Sequence, residues 1–150
     1  MGIDANSTNV KIVADSTCDL SEELKEKYHI SIIPLCIVME DKSFYDGEEI
    51  TPEEIYQWSD ANKLTPKTSA PPYEKALSVL QPLMDAGNEI IFLGISEQMS
   101  TTCNVVRLIA NDHEYTKLHV IDSMSLSTGI GLQVLFAAQL AAEGKSAAEI

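Results

Sequence analysis

Residues 89–95 form an almost uninterrupted apolar run, Glu-Ile-Ile-Phe-Leu-Gly-Ile. A strand with one face in water alternates apolar and polar residues, whereas a strand that is covered on both faces does not. Residues 118–121, Leu-His-Val-Ile, form a second short strand-like run. The first run therefore predicts a strand with helices on both sides, and it limits the fold to those that bury a sheet completely.

Segments with helical signals alternate with the predicted strands. Ser21 is a suitable N-cap for a helix reaching Tyr28, and Thr51 followed by Pro52 starts another. Pro34 interrupts an apolar run at 30–39 and predicts an edge strand or a bend there. Further strands are predicted at 10–14 and 118–121, and further helices near 71–86, 100–111 and 127–142. This order predicts an α/β fold with a mostly parallel sheet and helices on both faces.

The length of 150 residues suits one domain. We assign it to residues 11–150 and interpret residues 1–10 as a disordered leader or cloning remnant. Near the other end, Gly144 is typical of a helix stop, and Ser146 with Glu149 predicts a capping box for a further helix. We interpret the chain as a fragment lacking a second domain, with a frayed natural C-terminus as the alternative.

The formal net charge of −13 disfavours nucleic acid and anionic membrane surfaces as partners. No apolar run is long enough to span a bilayer, so stable membrane insertion is not expected. The three cysteines are an odd number without metal-type spacing, and the N-terminus has no signal-peptide core. Reduced thiols and a cytoplasmic location are the simplest expectation.

Hydroxyl side chains are concentrated where the predicted strands end. Segments 15–17, 96–102 and 122–128 follow strands, and a fourth segment, 67–69, precedes a helix. Ligands of parallel sheets bind at the carboxyl ends of the strands, and helix N-termini attract anions. A single Ser or Thr there is more often a helix cap. Four such segments together predict a site for a carboxylate or a phosphate.

The side chains that usually perform catalysis lie elsewhere. The three histidines are outside the strand-end segments, and no base accompanies Cys18 or Cys103, which we interpret as buried structural residues. Asp15 and Asp122 are interpreted as turn caps rather than metal ligands. We therefore expect a protein that is not an enzyme and has no metal or cofactor.

Several motifs resemble the N-terminal half of the DegV family, in the family's order and across nearly the whole chain from Lys11. They are Ile-Val-Ala-Asp-Ser-Thr-Cys-Asp-Leu at 12–20, Ile-Pro-Leu at 33–35, Lys-Thr-Ser-Ala-Pro at 67–71, Ile-Ser-Glu-Gln-Met-Ser-Thr-Thr at 95–102, Val-Ile-Asp-Ser at 120–123 and Ser-Thr-Gly-Ile-Gly at 127–131. Each motif is weak alone, but the ordered set is specific.

The resemblance implies a two-domain protein that binds a long-chain fatty acid, such as palmitate, between its domains. Several such proteins carry the fatty acid for a bacterial fatty acid kinase. In the family's motifs the residues that hold the carboxylate match Thr68 and Ser100 here. The positions expected to line the pocket are Ser16, Ser69, Ser96, Thr101, Thr102, Ser127, Thr128 and Gly129.

This chain departs from the family pattern around Ser100. Glu97 stands where a small polar residue is usual, Met99 replaces a leucine, Thr101 replaces a glycine and Cys103 replaces a tyrosine. An ionised Glu97 would repel an anionic ligand unless it pointed away. These changes indicate either a different acyl preference or a weakened site.

Two other functions stay open at this stage. One is a phosphoryl-transfer domain related to dihydroxyacetone kinases or sugar-transport phosphocarriers, which needs a strand-end histidine or an aspartate cluster. The other is a regulatory domain that has lost its ligand. For the lipid carrier, we expect the isolated lobe to bind palmitate more weakly than a two-domain protein, because burying the tail contributes most of the affinity.

Overall fold

The computed structural model describes residues 9–150. The strands are β1 (Val10–Asp15), β2 (Ser31–Ile33), β3 (Cys36–Met39), β4 (Lys42–Tyr45), β5 (Lys67–Ser69), β6 (Glu89–Gly94) and β7 (Leu118–Asp122). The helices are α1 (Glu22–Lys27), α2 (Pro52–Asn62), α3 (Tyr73–Asp85), α4 (Thr102–Asp112) and α5 (Thr128–Ala142), with a single 3-10 turn at Ser16–Cys18.

Four parallel strands form the central sheet in the order β2-β1-β6-β7. The two inner strands, β1 and β6, pair from Val10 with Glu89 to Ala14 with Leu93. Phe92 is fully buried on the face that α3 and α4 cover, and Ile91 is buried on the face that α5 covers. Helices on both faces of an all-parallel sheet confirm the predicted fold class.

A second sheet of three antiparallel strands, in the order β4-β3-β5, stands beside the first. The apolar run at 30–39 divides at Pro34, with β2 in the parallel sheet and β3 in the small sheet. The bend predicted at Pro34 is therefore confirmed, since the chain changes sheets there. The small sheet itself was not predicted from the sequence.

The placement of residues 67–69 corrects one prediction. The sequence predicts a polar stretch that leads into a helix, whereas these residues form β5, in which Thr68 lies opposite Ile37. All three residues are exposed, so no apolar alternation marked them as a strand. Helix α3 begins only at Tyr73, without a side-chain cap.

Two of the predicted helix starts, at Ser21 and Thr51, are confirmed by their caps. The Ser21 hydroxyl accepts a hydrogen bond from the Leu24 N–H, and Thr51 forms a reciprocal capping box with Glu54. Ser146 and Glu149 form the predicted capping box, since the Glu149 N–H donates to the Ser146 hydroxyl and the Ser146 N–H donates to the Glu149 carboxylate, but residues 147–149 form a turn rather than the predicted helix. These contacts satisfy amides that the first helical turn leaves without partners.

Most of the predicted leader, residues 1–8, lies outside the described residues, and Val10 already begins β1. Across residues 9–150, none of the helices combines the length and the apolar character that crossing a bilayer requires.

Gly94 ends β6 at the point where α4 approaches the sheet. A Cβ atom at this position would lie 2.6 Å from the Cys103 sulfur and 2.8 Å from the Phe92 ring. Both neighbours are fully buried and belong to the same core cluster. The absence of a side chain at Gly94 therefore lets α4 pack directly on the strand that leads to the hydroxyl-rich turn.

We expect Gly94→Ala to lower the free energy of unfolding by about 1–3 kcal/mol, because the added methyl overpacks this contact. Urea denaturation measures the loss. Adding Cys103→Ala should recover part of it by removing the sulfur, with Cys103→Ala alone as the control. A Gly94→Ala protein as stable as wild type would contradict the close packing.

Candidate anion-binding site

The four parallel strands end at one side of the sheet, which we call the carboxyl edge, and hydrogen bonds join the loops that follow them. The Ser96 N–H donates to the Ser125 carbonyl at 2.9 Å. The Leu35 N–H donates to the Ser16 hydroxyl at 3.1 Å. The Ser127 hydroxyl donates to the Asp19 carboxylate at 2.6 Å. The loops that carry Ser16, Ser96 and Ser127 are therefore each held by a hydrogen bond at this edge.

Asp15, at the end of β1, is fully buried beneath this edge. One carboxylate oxygen accepts from the Thr17 N–H at 2.9 Å and also from the Thr17 hydroxyl. The other oxygen accepts from the Ile95 N–H at 2.7 Å. Asp15 therefore caps the turn after β1, as predicted, and also ties the end of β1 to the residue following β6.

Burial raises the pKa of the Asp15 carboxyl above its ordinary value, although the hydrogen bonds from Thr17 and Ile95 oppose the shift. Desolvation disfavours the charged form of any carboxyl group, while hydrogen-bond donors favour it. Asp15 thus has a structural role: it is buried below the carboxyl edge and holds two loops by hydrogen bonds.

The turn from β6 to α4 carries Ser100. The Ser96 carbonyl accepts from the N–H groups of Met99 and Ser100 at 2.9 and 3.1 Å. The Ser100 hydroxyl accepts from the Thr102 N–H at 3.2 Å and lies 2.8 Å from the Thr102 hydroxyl. Thr102 is fully buried, whereas Thr101 is exposed and makes no side-chain cap. Ser100 consequently satisfies the first amide of α4 and lies at the positive end of its dipole.

Either hydroxyl can be the donor in the hydrogen bond between Ser100 and Thr102. When Thr102 donates to Ser100, the Ser100 proton is available for a ligand. A half-buried hydroxyl with that freedom, at a helix N-terminus, suits a carboxylate or a phosphate oxygen.

Glu97 does not stand as an isolated charge in this turn. Its carboxylate forms an ion pair with the Arg107 guanidinium, which also donates to the Asn104 side chain at 3.1 Å. The ion pair raises the pKa of Arg107. Asp122 holds the same turn by accepting from the Glu97 N–H at 3.3 Å and from the Met124 N–H at 2.8 Å. Asp122 is thus a turn cap, as predicted.

The role of Arg107 was not predicted from the sequence. Arg107 is the only arginine of the chain, and it follows Glu97 by ten positions across the start of α4. An isolated arginine shortly after an unusual acidic residue was the available signal for this pair.

The loop before α5 is held in a strained shape. Ser127 has φ 55° and ψ −134°, which a side-chain-bearing residue rarely adopts. A Cβ on Gly129 would lie 2.1 Å from the Ser125 hydroxyl, and one on Gly131 would lie 2.6 Å from the Cys18 carbonyl. Gly131 therefore allows α5 to pack directly against the turn after β1, and Gly129 leaves room for the Ser125 side chain. Thr128, the first residue of α5, is exposed.

Thr68 and Ser69 lie on β5 of the small sheet rather than on a loop after a parallel strand. β3, which pairs with β5, begins one residue after Leu35, whose N–H is bonded to Ser16. The small sheet is thereby anchored to the carboxyl edge. Within residues 9–150 the Thr68 hydroxyl makes no hydrogen bond, so it can donate to a ligand.

The histidine and cysteine side chains that could suggest catalysis are either paired on the sheet or buried in the core. His119 pairs with Glu89 at 2.9 Å on the outer strand of the sheet. Burial raises the pKa of the Cys103 thiol to about 11 and also raises that of Cys18. Both cysteines are buried, as predicted. The structure shows no cluster of metal-ligating side chains between residues 9 and 150.

A groove of about 710 Å³ opens beside Ser16, between α1 and residues 46–52. Neither Thr68 nor Ser100 lines it. Its walls carry five acidic side chains, Asp19, Glu22, Glu26, Asp46 and Glu48, against one lysine and one histidine, Lys25 and His29. Such a lining would repel a carboxylate, so this groove is a poorer anion site than the β6–α4 turn despite its size.

Comparison with known proteins supports the resemblance. A model of the DegV family, whose description calls these proteins uncharacterised, matches residues 9–150. A DegV domain-containing protein of Staphylococcus aureus is 37% identical over 139 residues, which are 93% of this chain and 49% of that protein. The chain therefore spans about half the length of this relative.

Solved structures agree in fold. A stearic acid-binding protein of Eubacterium ventriosum has a TM-score of 0.84 and 31% identity, covering 93% of this chain and 50% of its own. A DegV family protein of Thermus thermophilus, described by its fatty acid binding, has a TM-score of 0.82 and 30% identity with the same coverage.

We expect Asp15→Asn to lower the free energy of unfolding by about 1–3 kcal/mol at neutral pH, because the amide has one acceptor oxygen and leaves the buried Ile95 N–H unpaired. The pKa of Asp15 is raised on folding from its ordinary 3.8. Between the two values the native state binds more protons than the unfolded state, so this group stabilises the fold as pH falls.

The difference between wild type and Asp15→Asn should therefore widen when urea denaturation is repeated at about pH 4.5. A difference that shrinks on acidification would show that the carboxyl is held in its charged form instead.

Proposed function

The chain belongs to the DegV family, and from that membership we propose that it binds the carboxylate of a long-chain fatty acid, such as palmitate. The observation that carries the proposal is the hydroxyl group of Ser100 at the N-terminus of α4, on the carboxyl edge. The structural relatives described as stearic acid-binding and fatty acid-binding share this fold over 50% of their own chains, with 31% and 30% sequence identity.

The proposed carboxylate site combines Ser100 with Thr68. Hydrogen bonds to a charged group are worth about 1.5–3 kcal/mol each, and a helix N-terminus adds about 0.3–1 kcal/mol. Both side chains have a proton to donate, and neither brings a positive charge that would attract anions indiscriminately. In this proposal Ser16, Ser69, Ser96, Thr101, Thr102, Ser127, Thr128 and Gly129 line or shape the pocket around the head group.

Apolar side chains beside this turn suit the start of an acyl chain. Met99, Met124 and Leu126 are 59%, 79% and 50% exposed, and all three belong to the loops of the carboxyl edge. Burial of an acyl chain contributes about 0.8 kcal/mol per methylene, so the tail supplies most of the affinity. Three side chains cover only part of a long tail, and we assign the rest of the cover to a second domain like that of the longer relatives.

We propose a carrier role rather than an enzymatic one. A bound carboxylate at the carboxyl edge could be presented to a fatty acid kinase, which would supply the catalytic groups itself. The phosphoryl-transfer alternative needs a histidine at a strand end or an aspartate cluster. Among the described residues there is no cluster of metal-ligating side chains, and His119 on β7 is paired with Glu89. The three buried, unpaired cysteines support placing this carrier in the reducing cytoplasm.

The direct test is lipid extraction from the purified protein followed by mass spectrometry. We expect a long-chain fatty acid in the extract and binding of palmitate by calorimetry. A protein that carries no lipid and does not bind palmitate would overturn the proposal, and magnesium-dependent phosphotransfer would favour the enzymatic alternative.

We expect Thr68→Val to weaken palmitate binding about tenfold, because it removes one donor to a charged group and keeps the shape of the side chain. Ser100→Ala should weaken binding at least as much. It also removes a contact to the first amide of α4, so its unfolding free energy is measured in parallel.

The matched control is Ser78→Ala, which removes an exposed hydroxyl on α3 that donates to the Lys75 carbonyl. If Thr68→Val and Ser100→Ala bind palmitate as tightly as Ser78→Ala, neither hydroxyl holds the carboxylate.

A further inference from the structure

An acidic side chain lies in the turn that carries Ser100. The Ser100 N–H donates to the Ser96 carbonyl at 3.1 Å, which closes a helix-like turn containing Glu97. Side chains three positions apart in such a turn have Cβ atoms about 5–6 Å apart. A carboxylate bound at Ser100 would then lie within roughly 10 Å of the Glu97 carboxylate, where like charges still repel at moderate salt.

The Glu97 carboxylate is paired with Arg107, whose second contact, to Asn104, fixes the guanidinium on the surface of α4. The side chains of Arg107 and Glu97 are 40% and 32% exposed. An ion pair with that exposure contributes little to folding stability. The ion pair matters more for the charge at the turn. It cancels the negative charge of Glu97 beside the site, where Asp122 is a second acid.

We propose that Arg107 is a positioning residue for fatty acid binding, which holds and neutralises Glu97 so that the ligand carboxylate can reach Ser100. This inference rests on the proposed function. Without the guanidinium, Glu97 becomes an uncompensated anion beside the site. Repulsion between two unit charges about 8 Å apart, at an effective dielectric constant between about 20 and 80, corresponds to a loss of affinity of roughly 2- to 30-fold.

The same pair also accounts for the unusual acid at position 97. Because Glu97 and Arg107 cancel, this chain can carry an acidic residue in the turn and still accept an anion. Arg107 holds the Glu97 carboxylate and, independently, Asp122 accepts from the Glu97 N–H, so the turn is held at both its side chain and its backbone.

The test is a cycle of Arg107→Gln, Glu97→Gln and the double variant. Two ligands are used: palmitate by calorimetry and octanoate by NMR titration of the Ser100 and Thr102 amides, since the short acid depends less on cover for its tail. We expect Arg107→Gln to weaken binding roughly 2- to 30-fold. Glu97→Gln should bind as tightly as wild type or tighter, and the double variant should regain most of the loss.

Salt dependence provides a readout that a purely structural role would not change. Raising the ionic strength from about 0.05 M to about 0.5 M shortens the screening length. It should therefore restore affinity to Arg107→Gln and leave the double variant nearly unchanged. Arg107→Lys, which keeps the charge, should bind close to wild type.

Lys145→Gln is the control for net charge, because Lys145 is paired with Glu149 beyond the far end of α5. The inference is overturned if Arg107→Gln binds like Lys145→Gln. It is also overturned if the double variant stays as weak as Arg107→Gln, since Arg107 would then contact the ligand or shape α4 directly. If wild type shows neither palmitate binding nor octanoate-induced shifts, the proposed function falls and this inference falls with it.

Discussion

The buried carboxylate of Asp15 holds together the two central strands at the edge where the candidate site lies. It accepts the Ile95 N–H with one oxygen and the Thr17 N–H with the other. A buried carboxyl group is costly unless donors surround it, and these donors come from two separate strand ends. Asp15 therefore helps to fix the relative positions of the loops that carry Ser16 and Ser100.

Further hydrogen bonds connect the loops of the carboxyl edge to one another and to the small sheet. Ser16 holds the Leu35 amide where the chain leaves β2 for β3, and Ser96 holds the Ser125 carbonyl ahead of α5. The hydroxyl groups in these loops thus have structural partners already. Ser100 can be both a helix cap and a ligand donor. The Thr102 hydroxyl can donate to the Ser100 oxygen, which leaves the Ser100 proton for a ligand.

Electrostatics decides whether such an edge can receive an anion in a chain with a net charge of −13. The distant charges are largely screened by water and salt, whereas a charge in the same turn as the ligand is screened much less. Glu97 is such a charge, and the only arginine of the chain is paired with it. The local pairing matters more for the proposed site than the excess of acids elsewhere.

The α/β class, the strand ends, the helix starts at Ser21 and Thr51 and the hydroxyl-rich segments could all be predicted from local patterns, because periodicity and capping act over a few residues. The short polar strand β5 could not, since its stability comes from pairing with β3, about thirty positions earlier. For the same reason, only the tertiary structure paired Glu97 with Arg107 and Asp15 with Ile95. Capping and periodicity depend on residues that are close in the sequence, whereas contacts between distant segments depend on how the packed layers bring them together.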